Sequence, residues 1–363
     1  MEGQKKRSVR TLGGIPVGFG IVSLNKKKEK ICGDYYTIIT DPDSDSTVMV
    51  LSDGLGSSVK ANILATLTAE MLSIMIARKV NIRTAVKAVA DTLPVCSVRN
   101  LAYATFTVMV AEENEICLLQ YDNPDVILLR NGKNVEYCRD ILMFGEKEIH
   151  QSCFQFREGD MLIFMSDGAT NAGMGKTTYA GWGREEVVEF CEQHYRDGMS
   201  AQEMSSAIAD AGLALNLDET DDDLTVLTVA AMKKNIVNIM VGPPADREDD
   251  RSYFETFFQK EGMHVVCGGT TAKLVADYLQ TEVVGLPDSG TEEVPAMSEI
   301  KGIDLVTEGL LTLEKLVDYY DDFQEDRTYF NQIIKKKDGA AELFRVLFAE
   351  ATEINFFFGN ALN

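Results

Sequence analysis

Two acidic residues follow apolar runs that read almost identically along the chain. Residues 48–54 are Val-Met-Val-Leu-Ser-Asp-Gly, and residues 161–168 are Met-Leu-Ile-Phe-Met-Ser-Asp-Gly. Short apolar runs closed by a turn signal are typical of strands that are buried on both faces. The pattern therefore predicts that Asp53 and Asp167 lie at strand ends. A carboxylate placed there beside other carboxylates needs a cation or a proton.

Two further acidic segments flank predicted strands. Asp34 precedes the apolar segment 37–39, and three aspartates at 221–223 run directly into the β-branched strand 224–229. If all four strand ends meet, the site has only oxygen ligands, which suit magnesium or manganese rather than zinc. Taken singly, each segment has a simpler explanation, because Asp-Gly marks turns and Asp runs cap elements. The repeated Ser-Asp-Gly behind matched strands favours the metal-site interpretation.

The order of these motifs resembles that of the metal-dependent type 2C (PPM) Ser/Thr protein phosphatases, and most of all their bacterial stage II sporulation protein E-like branch. The resemblance covers about the first two thirds of the chain. The matching segments are Gly33-Asp34, 52–61, 104–107, 123–126, 130–132, Gly159-Asp160, 166–168 and 222–226. Asn123 departs from the family, which often has Gly there. For the phosphate-binding arginine of the eukaryotic members, Arg10 is the one candidate.

The resemblance implies two Mn²⁺ or Mg²⁺ ions and a set of ligands for them. Asp53 would bridge the ions, the carbonyl of Gly54 would contribute to one site, and Asp34 would be an outer ligand. Asp167 and Asp222 would hold the other ion. Asp53 and Asp167 are also the predicted catalytic residues, since a hydroxide shared by two ions supplies both the nucleophile and charge neutralisation for phosphoester hydrolysis.

Three more residues are expected to orient these ligands from behind: Ser52, Ser166 and Asp223. The three histidines, His150, His194 and His264, lie far from the motifs in sequence. We expect ordinary surface or core roles for them.

The implied substrate is a phosphoserine or phosphothreonine protein in a bacterial regulatory pathway, and in this branch it is often an anti-sigma-factor antagonist. The helix that begins at Val59 is the element that the branch moves to switch activity. The alternative is a catalytically inactive phosphatase fold that serves as a ligand-sensing scaffold. The intact set of aspartates favours the enzyme.

Residues 173–178, Gly-Met-Gly-Lys-Thr-Thr, suggest a third function because they resemble the end of a nucleotide-binding P-loop. The full pattern needs a glycine five residues before the Gly-Lys pair, and that position is Thr170. This departure disfavours a nucleotide-hydrolysing site.

Composition narrows the class of partner. The 363 residues carry 35 Lys and Arg against 57 Asp and Glu, a formal charge of −22, which repels nucleic acid and anionic lipid.

The seven cysteines form no Cys-x-x-Cys pair, so reduced thiols in a cytoplasmic protein are expected. We find no apolar stretch that approaches the roughly 18 residues of a membrane span, so no membrane partner is expected.

Periodicity predicts an α/β fold in two domains. Residues 1–232 would form the family's four-layer α-β-β-α sandwich with antiparallel sheets. Its helix 59–76 is expected to bury an apolar stripe of Val59, Ile63, Leu67 and Met71. Three segments, 104–111, 116–121 and 126–130, are predicted to form a strand meander.

Residues 236–363 alternate strand and helix, which predicts a smaller α/β domain with a parallel sheet. We expect this domain to be regulatory and truncated at its C-terminus. Its turn at Gly268, Gly269, Thr270 and Thr271 offers backbone amides and hydroxyls at a helix N-terminus, where an anion is favoured. The turn 307–309 is expected at the same sheet edge. A small anionic ligand is therefore predicted there, although Gly-Gly could equally be a tight turn and Thr270 a helix cap.

Overall fold

The computed structural model describes residues 7–8, 11–12, 14–41, 46–56, 58–92, 104–144, 147–244, 250–326 and 329–359. The chain divides into two compact units, one spanning Arg10–Ala231 and the other joining Met1–Val9 to Met232–Asn363. The sequence analysis assigned 1–232 to one domain, whereas the structure pairs Arg7–Ser8 with the last strand of the other unit. Arg10, Pro42 and Asp43 of the predicted turn, and the helix-stopping Pro94 lie outside the described residues.

Up to residue 231 the chain forms runs of strands separated by helices. In chain order they are β1 (Arg7–Ser8), β2 (Thr11–Leu12), β3 (Ile15–Leu24), β4 (Asp34–Asp41), β5 (Ser46–Gly54), α1 (Ser58–Ala77), α2 (Ile82–Thr92), β6 (Ala104–Glu112), β7 (Glu115–Tyr121), β8 (Ile127–Arg130), β9 (Lys133–Asn134), β10 (Asp140–Phe144), β11 (Lys147–Gln155), β12 (Asp160–Met165), α3 (Asp167–Thr170), α4 (Arg184–His194), α5 (Ala201–Leu215) and β13 (Leu224–Ala231).

Two antiparallel sheets stack face to face in this unit. Among the described residues one sheet has the order β10-β11-β7-β6-β5-β4 and the other β2-β3-β13-β12-β8-β9. The shared core between them contains Met49, Leu51, Phe164 and Leu227. Helices α1 and α2 pack on the outer face of the first sheet, and α4 and α5 on that of the second. This is the predicted four-layer sandwich.

Side-chain alternation explains why the motif-bearing strands are apolar throughout. In β5, Val48 and Val50 face the helices while Met49 and Leu51 face the other sheet. Such strands are buried on both faces and place their polar residues only at the ends. The predicted meander is wrong at its third member, because β8 leaves the first sheet and pairs with β12 in the second.

The predicted buried face of α1 is also wrong. The helix buries Ala61, Ala65 and Ala69 against the sheet, whereas Val59 is 53% exposed and Ile63 is 51% exposed. Both faces of α1 are apolar, so the period alone did not identify the packed one. Because both faces are apolar, residues 59–77 are also long and apolar enough to span a membrane, with mean hydropathy 1.4, contrary to our expectation. This is weak evidence for a span, because 44% of the window is buried inside the fold.

A disulfide joins Cys117 on β7 to Cys153 on β11. These residues face each other in the strand register, so pairing depends on the fold and not on sequence spacing. The expectation that all cysteines are reduced thiols is therefore wrong for this pair. The cytoplasmic location inferred from it stays a prediction.

The second unit has a mixed sheet with a parallel centre. Its elements are β14 (Ile236–Val241), α6 (Asp250–Phe258), β15 (Met263–Cys267), α7 (Gly269–Tyr278), β16 (Val283–Gly285), β17 (Ser298–Ile300), β18 (Leu305–Thr307), α8 (Leu310–Glu325), α9 (Tyr329–Ile334), α10 (Gly339–Phe344) continued by a π-helical turn (Arg345–Glu350), and β19 (Glu353–Phe358). The order is β1-β19-β14-β15-β18-β17-β16 within the described residues. The four strands β19, β14, β15 and β18 are parallel as predicted, and the strands outside them are antiparallel.

Candidate functional site

Asp34 and Asp53 lie directly opposite each other on adjacent strands. Asp34 opens β4 and Asp53 is the penultimate residue of β5, and the two are partners in the antiparallel register. The neighbouring Ser52 is fully buried and its hydroxyl donates to the carbonyl of Thr105 at 2.8 Å. Ser52 therefore anchors the end of β5 to β6, and its role in orienting a metal ligand stays a prediction.

Asp167 and the 221–223 run come together at the edge of the other sheet. Asp167 begins the short helix α3 instead of ending the strand, since β12 stops at Met165. Ser166 accepts a hydrogen bond from Thr225 N at 2.9 Å, which fixes the chain before Asp167 to the start of β13. Gly168 packs so tightly there that a side-chain carbon would stand 2.0 Å from Asp223 O.

The four predicted metal ligands meet between the two sheets. Burial, and after it the charges of Asp34, Asp167 and Asp222, raise the pKa of Asp53 to about 10. Burial and Asp222 also raise the pKa of Asp167, while a hydrogen bond from Asp53 lowers it. Without a bound cation, a proton on Asp53 is therefore shared with Asp167. The crowding of carboxylates predicted from the sequence is present.

Asp34 has two buried oxygens without a hydrogen-bond partner. It is 4% exposed, and both Oδ1 and Oδ2 are unpaired. Burial raises its pKa to about 7; the hydroxyls of Ser166 and Thr225 lie close enough to moderate the rise. Neither hydroxyl is aligned to donate to it: Ser166 points to Asp223 O at 3.5 Å, and Thr225 pairs with Ser23 at 2.9 Å. An unpaired buried carboxylate of this kind requires a ligand.

The donor set fits hard divalent cations. Its predicted members are carboxylates, and they include the unpaired oxygens of Asp34. Among the described residues, no three acidic, His or Cys side chains already surround one point at metal-ligand spacing. The carboxylates lie together, and one proton is shared between Asp53 and Asp167. Binding of ions would require these two residues to lose that proton.

Asp223 fixes the loop that crosses between the sheets. Its Oδ1 accepts a hydrogen bond from Lys26 N at 2.9 Å, and its Oδ2 lies so near Gly33 that a side-chain carbon there would be 2.7 Å away. Asp223 is 4% exposed. It therefore holds the chain immediately before Asp34, and its role in orienting a metal ligand stays a prediction.

Sequence reasoning missed Lys26. Its ammonium lies 3.5 Å from Asp222 Oδ1, and its charge lowers the pKa of Asp167. Sequence composition alone assigns no role to the lysines at 26–28. The signal that could have identified Lys26 is the connection itself, because the β3–β4 loop must pass from one sheet to the other at the carboxylate end.

Asn123 is a second residue whose role was not predicted. Its side chain accepts a hydrogen bond from Thr105 Oγ1 and donates to Thr107 Oγ1 at 3.2 Å. Thr105 is the strand partner of Asp53. Asn123 therefore braces the crossing from β7 to β8 beside the site, where the resembled family often has Gly.

The P-loop-like segment has a structural role. The Lys176 ammonium donates to the carbonyls of Asn216 and Glu219 and pairs with Asp221 at 2.8 Å. Lys176 thus holds the segment 173–178 against the 216–221 turn. Of the histidines, His264 contacts Phe257 O at 3.1 Å and His194 contacts Phe190 O at 2.8 Å, both by their ring nitrogens.

The predicted anion turn lies in the second unit. Helix α7 begins at Gly269, earlier than expected, and Gly268 N donates to Thr307 O at 2.9 Å. The two turns after β15 and β18 therefore adjoin at one sheet edge, as predicted.

Comparison with known structures gives the same architecture. The fold is similar to the phosphatase and partial regulatory domains of SpoIIE from Bacillus subtilis, with 18% identity and a TM-score of 0.51 over 60% of this chain and 63% of that one. It is also similar to the RsbU and RsbW domains of a Mycobacterium tuberculosis protein, with 17% identity and a TM-score of 0.48 over 62% and 65% of the chains. RsbX in complex with magnesium matches at 16% identity and a TM-score of 0.42 over 59% and 94%.

Comparisons by sequence give a narrower result than the comparisons by structure. No curated protein matches the chain. The profile of the family described as Stage II sporulation protein E matches residues 43–231, slightly more than half of the 363 residues. That span contains Asp53, Asp167 and Asp222 with their supporting residues. The chain therefore belongs to the stage II sporulation protein E family of PP2C-type phosphatase folds.

Proposed function

We propose that residues 10–231 catalyse metal-dependent hydrolysis of phosphoserine or phosphothreonine on a protein. The observation that carries the proposal is the meeting of Asp34, Asp53, Asp167 and Asp222 between two sheets, where burial and neighbouring charges raise the pKa values of the first three. A fold that only needed stability gains nothing from such a cluster, because each buried carboxylate without a partner opposes folding.

The ions would be Mg²⁺ or Mn²⁺, held by these four carboxylates with the Gly54 carbonyl as a further donor. Bound divalent ions would neutralise the cluster. They would also lower the pKa of water, so that hydroxide is available to attack phosphorus at neutral pH. Asp34 would supply two oxygens that have no other partner, and Asp53 and Asp167 would give up their shared proton to hold the ions.

Lys26 gives the site a cation for the substrate. Its loop is pinned by Asp223, so the ammonium is held at the rim beside Asp222. A phosphoryl group carries up to two negative charges and would be repelled by the carboxylates alone. We infer that Lys26 leaves Asp222 for a phosphate oxygen when substrate and ions are bound.

The substrate protein we propose is an anti-sigma-factor antagonist or a related regulator, acting in the cytoplasm. Membership of the stage II sporulation protein E family supports this class. The net charge of −22 argues against nucleic acid as a substrate.

The deciding experiment is release of phosphate from a phosphoserine peptide and from p-nitrophenyl phosphate with Mn²⁺, with Mg²⁺ and with EDTA. We expect turnover with either ion and none with the chelator. Binding of Mn²⁺ measured by calorimetry provides a second readout. Stoichiometric Mn²⁺ binding without turnover on any phosphopeptide would favour the inactive scaffold, and absence of both would refute the metal site.

A further inference from the structure

The carboxyl edge of the parallel strands in the second unit has the arrangement of a small-molecule site. From β14 the chain adds β15 and β18 on one side and returns to β19 on the other. Ligands of open α/β sheets bind outside the carboxyl ends of the strands near such a reversal. The turns after β14, β15 and β18 all lie on this edge.

Two helices start side by side here, and their first amides lack side-chain caps. Helix α7 follows Gly268 and α8 follows Gly309, and neither glycine can donate or accept through a side chain. The two turns touch, since a side-chain carbon at Gly309 would lie 3.3 Å from Gly268 Cα. By contrast, Asp338 caps α10 by accepting from Ala340 N and Ala341 N. Uncapped amides at adjoining helix N-termini favour an anionic group.

Unpaired buried oxygens are the second and independent observation. Thr312, in the first turn of α8, is fully buried and its Oγ1 has no hydrogen-bond partner. Glu308, which joins β18 to α8, has a buried Oε2 that is likewise unpaired. The Glu308 charge contributes to the raised pKa of Cys267 at the end of β15, which places the carboxylate beside the start of α7. Buried polar atoms in native folds nearly always have a partner, so these two oxygens indicate a ligand.

The charges restrict what that ligand is. A bare anion at the α7 amides would be repelled by Glu308. A molecule that turns hydroxyl groups toward Glu308 and Thr312 and a phosphate toward Gly269 satisfies both halves of the site. Space is available, since a side-chain carbon built on Gly269 meets no atom within 4 Å. We propose that this edge binds a phosphorylated polyol, either a sugar phosphate or the sugar phosphate portion of a nucleotide.

Calorimetric titration of the full chain in EDTA tests the proposal, because the chelator keeps phosphate from binding to ions at the carboxylate cluster. The full chain is used since Arg7–Ser8 belongs to the sheet of this unit. Ribose 5-phosphate and adenosine monophosphate are the probes, and ribose and inorganic phosphate are the partial ligands. We expect saturable binding of at least one probe, with each partial ligand at least tenfold weaker. A preference between the two probes identifies the source as sugar phosphate or nucleotide.

Substitutions locate the binding. Gly269→Val should weaken the bound probe at least tenfold, whereas Gly285→Val, a glycine of β16 with equally open surroundings, should not. Glu308→Gln should reduce the probe to the affinity of inorganic phosphate without weakening inorganic phosphate itself. The proposal is overturned if neither probe binds at millimolar concentration, if binding survives Gly269→Val, or if Gly285→Val abolishes it equally.

Discussion

Gly54 lies against the backbone of Ala61, so closely that a side-chain carbon at residue 54 would stand 2.0 Å from the Ala61 carbonyl oxygen. The first turns of α1 therefore rest directly on the strand end that carries Asp53. A shift of α1 would move Asp53 relative to Asp167, which belongs to the other sheet. This contact gives a physical route for the switching role expected of the helix, which stays a prediction.

Gly54→Ala should disturb both stability and activity. The added methyl group meets backbone, which cannot move aside as a flexible side chain can, so α1 must separate from β5. We expect the free energy of unfolding to fall by about 1–3 kcal/mol, the usual range for overpacking, and Mn²⁺-dependent turnover to fall with it. Gly285→Ala, where the space is open, is the control. Normal melting and turnover for Gly54→Ala would show that α1 is not in tight contact.

Asp53→Asn and Asp167→Asn should each abolish turnover, because each removes a negative ligand from the site. The loss should exceed about 100-fold, in keeping with several kcal/mol of lost charge stabilisation. Each variant should also lose the rise in melting temperature that Mn²⁺ gives the parent protein. Asp140→Asn, on the edge strand β10, is the matched control. Near-normal turnover in both variants would remove the metal assignment.

The metal-free protein should become less stable as the pH rises toward neutrality. Burial raises the pKa of Asp34 from 3.8 to about 7 in the fold, so its protonated form stabilises the fold fully below pH 3.8 and that contribution is lost as pH rises through 7. Between pH 6 and pH 8 the Asp34 share of the loss should be on the order of 1 kcal/mol. Thermal unfolding in EDTA measures the total, and Asp34→Asn should remove this share while leaving the share from Asp53, whose pKa is raised to about 10.

Manganese should reverse that trend, since bound ions need the ionised carboxylates. The Mn²⁺-induced rise in melting temperature should be larger at pH 8 than at pH 6. An equal rise at both pH values would argue that the ions bind elsewhere.

Lys26→Ala should impair substrate use more than ion binding. The Lys26 ammonium lies beside Asp222. Without this positive charge, the phosphoryl group of the substrate would face carboxylates. We expect kcat/KM to fall by about tenfold, a cost near 1.4 kcal/mol, mainly through KM, with Mn²⁺ affinity unchanged or higher. Lys27→Ala is the control, because Lys27 pairs with Glu219 away from the cluster. A purely structural role would instead lower the melting temperature and leave KM unchanged.

The carboxylate cluster could be predicted because local sequence encodes it. An apolar run closed by Ser-Asp-Gly specifies a buried strand, its end and the residue that sits there. Asp53 and Asp167 are found together with Asp34 and Asp222 because four such ends meet between the sheets. The repeated motif favoured such a meeting, and the resemblance to a family supplied the role of each carboxylate within it.

The errors concern relations between elements. Helix α1 is apolar on two faces, so its period does not tell which one packs; small alanines, which permit a close approach, mark the buried side. The placement of β8 in the opposite sheet and the pairing of Cys117 with Cys153 depend on strand register between distant segments. Lys26 was missed for the same reason, since its importance comes from which two sheets its loop connects.

The pairing of β1 with β19 has a consequence for truncated variants. Residues 353–358, Glu-Ile-Asn-Phe-Phe-Phe, form a strand whose Phe358 is 63% exposed. Exposed apolar strands with a free edge recruit other chains into intermolecular sheets. Arg7 and Ser8 pair with Ile354 and Glu353 and so occupy part of that edge. Removing the first nine residues should uncover that edge and convert the second unit into a template for aggregation.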